Sequence, residues 1–299
     1  MLFRSTRASE TVISGGQGND QLDVQSASGI RYLVARGDGI DDVLGAHSIS
    51  NGEAENLVEF DTGIVSSDLR LEWDPTAGLS IVYGPGDRLV LHNVDMTDPR
   101  SDTHRPFDRF KFSDGSALTW GELLDRGINW VVPTWTVDVL GSSEADRIVG
   151  NQVSRVISAG AGNDTIVAGS GNETLRGGIG SDSIIVGAGF GSDVIDNSES
   201  VAGDADRIEF DATISRSSVT FIRFEDDLLV SVAGSNDKLE IRGFFANAGT
   251  EEIQFADGQV FTRGTIPLSS GMLSITEGDD YILGSQGDDT ISALGGNDV

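Results

Sequence analysis

The sequence predicts an all-β chain in which repetitive blocks alternate with small β-rich modules, and three observations predict it. From Gly141 to Ile185 the chain falls into five consecutive nonapeptides without a gap, reading GSSEADRIV, GNQVSRVIS, AGAGNDTIV, AGSGNETLR and GGIGSDSII. Segments that alternate apolar and polar residues, as half-buried strands do, recur 150 residues apart. Glycine is 39 of 299 residues, nearly twice the usual share of roughly 7%. Its ordered placement argues against the disorder that an acidic, Gly-rich composition otherwise suggests.

The nonapeptides carry the clearest signal. Their eighth position is Ile148, Ile157, Ile166, Leu175 and Ile184, always a large aliphatic, and their sixth is Asp146, Arg155, Asp164, Glu173 and Asp182. The second and fourth positions become Gly in the last three copies, as in Gly160, Gly162, Gly178 and Gly180. Glycines permit positive φ and tight turns in the first half of each repeat. The last three residues read as a short strand with its aliphatic side chain inward. Shorter tracts share the pattern at Gly15 to Asp23 and in a C-terminal pair, Asp280-Tyr281-Ile282-Leu283 and Asp289-Thr290-Ile291-Ser292, with Asp298 opening a third copy.

These residues resemble the RTX, or haemolysin-type, calcium-binding nonapeptide G-G-x-G-x-D-x-U-x, where U is a large apolar residue. The resemblance implies parallel β-roll blocks with two nonapeptides per turn and one loop on each side. Positions 18 residues apart then stack, placing Asp146, Asp164 and Asp182 in one acidic column. At a strand spacing of about 4.8 Å two carboxylates repel by about 1 kcal/mol in water, and by more away from it. Calcium, a hard cation taking 6–8 oxygens at about 2.3–2.6 Å, reverses that repulsion. The implied ligands for several Ca2+ ions are Asp20, Asp41, Asp146, Asp164, Asp182, Asp193, Asp280, Asp289 and Asp298, with Gly160, Gly162, Gly178, Gly180, Gly278 and Gly287. The opposite column reads Arg155, Glu173 and, after a two-residue phase slip at Val186 and Gly187, Asp193. Arg155 cannot ligate calcium, so one metal-filled side and one poorly filled side are expected.

Between the blocks, Asn56-Leu57-Val58-Glu59-Phe60-Asp61 matches Asp206-Arg207-Ile208-Glu209-Phe210-Asp211, and Asp87-Arg88-Leu89-Val90-Leu91 matches Asp237-Lys238-Leu239-Glu240-Ile241. Phe112-Ser113-Asp114-Gly115 matches Phe255-Ala256-Asp257-Gly258 at an offset of 143, so the first copy is longer. Asp-Gly pairs mark turns, and Thr119 to Leu124 reads as a short capped helix. The stretch resembles the haemolysin-type calcium-binding-protein-related domain found between RTX blocks, except that Ile30 stands where that family often has Asp. All six prolines fall outside the nonapeptides, as strand ladders that need backbone donors require. The expected organisation is a degenerate roll block over 1–54, a β-rich module over 55–132, a roll block over 141–198, a second module over 203–266 and the start of a third block over 275–299.

Composition narrows the function. A formal net charge of −28 argues against a nucleic-acid ligand, whose binding runs on Lys and Arg, and the chain repels itself unless cations neutralise it. Cysteine is absent, so there is no disulfide framework. No run approaches the roughly 18 apolar residues of a membrane span, and no apolar h-region follows Met1. The chain stops inside a repeat at Val299, as a fragment or incomplete product does. No catalytic residues are assigned. There is no Gly-x-Ser-x-Gly elbow, no Walker phosphate loop and no HExxH, and His47, His92 and His104 lack metal-ligand spacing. Arg36-Gly37-Asp38 reads as a roll turn rather than an adhesion tripeptide, and Trp73, Trp120, Trp130 and Trp135 read as core. The expectation is a non-enzymatic, calcium-dependent structural module of a secreted bacterial protein, exported by type I secretion as the resemblance implies. The alternatives are an adhesin or surface segment that binds a polysaccharide or cell surface, and the non-catalytic tail of a secreted protease, lipase or polysaccharide-modifying enzyme.

Overall fold

The computed structural model describes residues 2–4, 11–23, 29–44, 55–92, 94–100, 105–132, 138–153, 155–196, 198, 203–246 and 250–269. Gly278, Asp280, Gly287, Asp289 and Asp298, and with them the third block, lie outside the described residues. The chain divides into two compact units, Met1–Pro133 with Gly141–Ile148, and Thr134–Leu140 with Val149–Val299. The fold is all-β, with parallel β-rolls and small β-rich modules; the one α-helix among the described residues is Trp120–Leu124.

In the second unit the nonapeptides wind as a parallel roll. Strands Val139–Leu140, Val156–Ala161, Thr174–Ile179 and Ser192–Asp196 pair in parallel in one sheet. Thr165–Val167, Ser183–Val186 and Ala205–Phe210 do so in the other. The chain visits the sheets alternately, so a residue lies beside the one two nonapeptides later: Ile157 beside Leu175, and Ile166 beside Ile184. Both steps are 18 residues. The next are longer, with Leu175 beside Ile195 and Ile184 beside Ile208. The two-residue slip at Val186 and Gly187 accounts for the first of these.

Strand periodicity explains the core. Alternate side chains point to opposite faces, so the eighth-position aliphatics all turn inward. Ile148, Ile157, Ile166 and Leu175 are 0% exposed and Ile184 is 3% exposed. Each contributes about 1.5–3 kcal/mol of burial.

The modules extend the rolls. In the second unit Lys238–Arg242 adds in parallel to Ser192–Asp196, then pairs antiparallel with Asp227–Val232, which pairs with Val219–Phe224. Thr250–Phe255 adds in parallel to Ala205–Phe210, and the Asp257-Gly258 turn returns the chain antiparallel into Val260–Thr262.

The first unit repeats this order. Thr11–Ser14, Ile30–Val34, Leu57–Phe60 and Arg109–Lys111 are parallel neighbours, with Ala117–Thr119 antiparallel at the edge. Its other sheet runs Leu2–Arg4, Gln21–Asp23, Ile40–Leu44 and Asp87–Leu91 in parallel. Gly78–Gly84 and Arg70–Asp74 follow antiparallel. Ile128–Trp130 then lies between Arg70–Asp74 and residues 146–148, parallel to both. The core pairing is repeated too: Phe60 stacks on Phe112 at 5.2 Å and Phe210 on Phe255 at 4.9 Å. The longer first copy holds the short helix Trp120–Leu124, capped as its sequence predicts. Thr119 Oγ1 accepts from the Glu122 N–H, and the Glu122 carboxylate accepts from the Thr119 N–H at 2.7 Å.

Candidate metal centre

In the second unit the sixth-position acids sit where each loop enters its strand, and stacking brings them into columns. The Asp164 N–H donates to Asp182 Oδ1 at 2.8 Å, and the Asp182 N–H donates to Asp206 Oδ1 at 3.0 Å. Glu251 continues the column beside Asp206. One oxygen of each stacked aspartate is therefore used by the backbone of the turn before it. The second oxygen of Asp182 is buried with no hydrogen-bond partner.

The other side follows the same rule. The Glu173 N–H donates to Asp193 Oδ1 at 2.8 Å, while Asp193 Oδ2 and both carboxylate oxygens of Glu173 are buried without a partner. Arg155 is buried at the head of this column, donating from Nη2 to Asn151 Oδ1 at 2.8 Å and from Nε to the Val153 carbonyl at 3.2 Å. Asp237 closes the column, accepting from Gly189 N at 2.8 Å and Gly191 N at 3.2 Å.

Between the acids the glycine turns approach closely. Gly178 and Gly180 have φ of +107° and +132°, and a Cβ there would lie 1.9 Å from the Gly160 carbonyl oxygen and 1.8 Å from that of Gly162. Only glycine permits both the conformation and the approach, and the carbonyl oxygens of one turn are thereby aimed into the next.

Electrostatics follow from burial. Burial, reinforced by Asp206 and Asp204, pushes the Asp182 carboxyl up to about 6. Burial also raises Asp193 and Glu173; the approach of the Asp193 carboxyl and of the Gly171 backbone, and after them the Arg155 charge, pull Glu173 part of the way back down. Buried carboxylates lacking donors are costly unless something positive meets them. Among the described residues no three or more His, Cys, Asp or Glu side chains gather as one metal cluster. The available donor set is therefore carboxylate oxygens with glycine carbonyls. That all-oxygen set suits a hard cation such as calcium, and the second unit fits it.

The first unit is built differently at equivalent places. The Asp20 N–H donates to Asp41 Oδ1 at 3.0 Å, but Asp41 Oδ2 accepts from the Tyr32 hydroxyl at 2.6 Å. On the opposite side Ile30 and Asn56 stand where the second unit has Asp182 and Asp206. Asp146 accepts from Ser142 N at 2.6 Å and from Ser142 Oγ at 3.0 Å, and burial pushes its carboxyl up to about 6.

The other sequence candidates resolve plainly. Asp38 of the Arg-Gly-Asp tripeptide is buried and accepts from Ala35 N at 2.7 Å, while Arg36 is tied to Asp68 at 2.5 Å and to the Tyr83 carbonyl. His92 pairs with Asp42 at 2.9 Å; His47, His104 and Trp135 lie outside the described residues. Trp120 and Trp130 are buried, and the half-buried Trp73 meets Trp130 edge-on at 5.8 Å. Sequence reasoning did not single out Asp206, because a longer turn separates it from Asp182 by 24 residues rather than 18. It also passed over Tyr32, which reads as an ordinary inward strand residue. No helix among the described residues is long and apolar enough to cross a membrane.

The chain matches the RTX calcium-binding nonapeptide repeat, in four copies, over residues 12–25, 156–184 and 275–299. It matches the haemolysin-type calcium binding protein related domain over residues 227–265. That domain match falls on the second module, and the first shares its order of strands. Among solved structures, extracellular lipase LipA from Serratia marcescens is similar at 16% identity and a TM-score of 0.24. The similarity covers 78% of this chain and 36% of the lipase, so the chain spans about a third of that protein's length. No curated protein matches the chain.

Proposed function

We propose that this chain, which carries RTX calcium-binding nonapeptide repeats and a haemolysin-type calcium-binding-protein-related domain, is a structural, non-catalytic module whose second unit completes its folding only when calcium is present. The observation that carries the reading is the set of buried carboxylate oxygens at Glu173, Asp182 and Asp193 that no protein donor meets. Asp164 and Asp182, with the carbonyls of Gly160, Gly162, Gly178 and Gly180, would hold one row of ions, and Glu173 with Asp193 the opposite row. Asp146 stands beside the Ser142 turn as a further candidate. Gly278, Asp280, Gly287, Asp289 and Asp298 carry the same pattern in the third tract. Bound calcium supplies two positive charges and 6–8 coordination positions for oxygen.

The chain's own part is to keep those oxygens dry and in register. Backbone N–H groups fix one oxygen each of Asp182, Asp193 and Asp206, glycine turns bring carbonyls within reach, and the aliphatic core sets the spacing. Without a cation the same geometry is self-repelling, which suits a chain that stays unfolded where calcium is scarce and folds where it is plentiful. Weak sites of about 10⁻⁴–10⁻³ M act by mass action in this way in extracellular modules. Secretion through a type I route fits this behaviour. The five-segment organisation read from the sequence is part of the same proposal.

Circular dichroism and amide exchange with chelator, then with millimolar calcium, test the reading. Residues 155–196 are expected to lose β structure and protection in chelator and to regain both with calcium. An unchanged spectrum and unchanged protection in the two conditions would sink it.

A further inference from the structure

We infer that the roll over residues 11–119 of the first unit is metal-independent, its Tyr32 hydroxyl giving Asp41 the partner that a cation gives Asp193 in the second unit. The contrast rests on the calcium reading of the second unit, whereas the first unit's independence rests on its own hydrogen bonds.

The two positions are structural equivalents. Asp41 stacks beside Leu89 and Asp193 beside Leu239. Each accepts on Oδ1 from the backbone of the preceding turn, from Asp20 at 3.0 Å and from Glu173 at 2.8 Å. Each lies under a closing carboxylate: Asp87 accepts from Gly37 at 3.0 Å and Gly39 at 3.2 Å, as Asp237 does from Gly189 and Gly191. Only the second oxygen differs. In Asp193 it has no partner, and in Asp41 it accepts from Tyr32 at 2.6 Å.

Tyr32 occupies an inward strand position, beside Val58 as Ile184 is beside Ile208. An isoleucine there only packs, whereas a phenol crosses the interior and donates. The ring is 1% exposed and stacks on Phe107 at 6.5 Å. A phenol is protonated at neutral pH, so the hydroxyl has a proton to donate.

The opposite side is closed independently. Asn56 Oδ1 accepts from Ile30 N at 3.0 Å, and its Nδ2 donates to the Pro106 carbonyl at 3.2 Å. Asp108 accepts from Asn56 N at 2.7 Å on one oxygen and from Arg105 Nε at 3.2 Å on the other. Among the described residues, the first unit has no buried carboxylate oxygen without a hydrogen bond. A cation entering there would have to displace hydrogen bonds already made, and a guanidinium already stands beside Asp108.

Hydrogen–deuterium exchange on the full chain, with chelator and with calcium, tests this peptide by peptide. Peptides within 11–44 and 55–92 are expected to keep the same protection in both conditions while those within 155–196 respond. If both units lose protection in chelator at one calcium midpoint, the inference is overturned while the calcium reading stands. If neither responds, the calcium reading fails, and two variants decide the inference. Asp41→Asn keeps an acceptor for Asp20 N and gives the Tyr32 oxygen a donor. It should leave the calcium stoichiometry by titration calorimetry unchanged, and loss of one ion overturns the inference. Tyr32→Phe strands a buried carboxylate oxygen, and protection of 29–44 in chelator should fall by about tenfold or more. Unchanged protection in that variant also overturns it.

Discussion

The Asp164 N–H donates to Oδ1 of Asp182 at 2.8 Å, and Oδ2 of the same Asp182 is buried without a partner. One carboxylate thus serves both as a rung of the backbone ladder and as a candidate ligand. Asp182→Asn retains the rung, because an amide oxygen still accepts, and removes the charge. In chelator the variant should fold at least as well as the parent, since a buried charge facing Asp204 and Asp206 is gone. In calcium its folding midpoint should move to higher concentration, by about tenfold for each 1.4 kcal/mol of ligand energy lost. Titration followed by circular dichroism reads both. A variant weaker in chelator and unchanged in calcium affinity would make Asp182 a structural residue only.

The raised carboxyl of Asp182 gives a pH dependence with a definite sign. Its folded-state value is about 6 without metal, against about 3.9 in an unfolded chain. Between those values the folded form binds more protons, so stability falls as pH rises. The contribution is fully present below about pH 4, on the order of 3 kcal/mol, and is lost as pH passes through about 6. The chelated second unit should therefore gain protection when taken from pH 7 to pH 5. Calcium affinity should move the opposite way, because protons compete for the same oxygens. Chelator-state protection that falls on acidification, once corrected for the intrinsic slowing of amide exchange, contradicts this.

Ile166 is 0% exposed and lies beside Ile184. Ile166→Ala should cost about 2–5 kcal/mol of calcium-loaded stability, through lost burial and the cavity left behind. Chemical denaturation in saturating calcium measures it, and a loss under about 0.5 kcal/mol would place the residue outside the core.

Ile166 also shows what was legible beforehand. An aliphatic every nine residues fixes which face turns inward, so the strands and core of the nonapeptides could be read directly. The 150-residue recurrence foretold two matching modules, because alternation and Asp-Gly turns are local signals. Two features lay beyond that reading. Asp206 enters the acid column only through a longer turn, and no repeat period reports the length of an insertion. Tyr32 satisfies Asp41 across the interior, and a pattern of apolar positions treats tyrosine and isoleucine alike. The expectation of one poorly filled side rested on the charge of Arg155. Yet the same column holds three partnerless oxygens at Glu173 and Asp193.

Arg155 provides the last test. It stands one step before Glu173 in the column, and its charge already draws the Glu173 carboxyl down against the effect of burial. It serves as a built-in cation at the place where a further metal would sit. Arg155→Asp removes that charge and restores the repeat's usual acid. In chelator the variant should be less stable than the parent, because a third carboxylate joins Glu173 and Asp193 with no compensating charge. In calcium it should bind one more ion and recover, so the gap between the two conditions widens. Arg155→Asn is the control: it loses the cation and gains no carboxylate, so it should weaken in chelator and bind no extra ion. Calorimetric stoichiometry with paired denaturation curves separates the cases. An equal ion count in Arg155→Asp, Arg155→Asn and the parent would show that this end of the column cannot take metal.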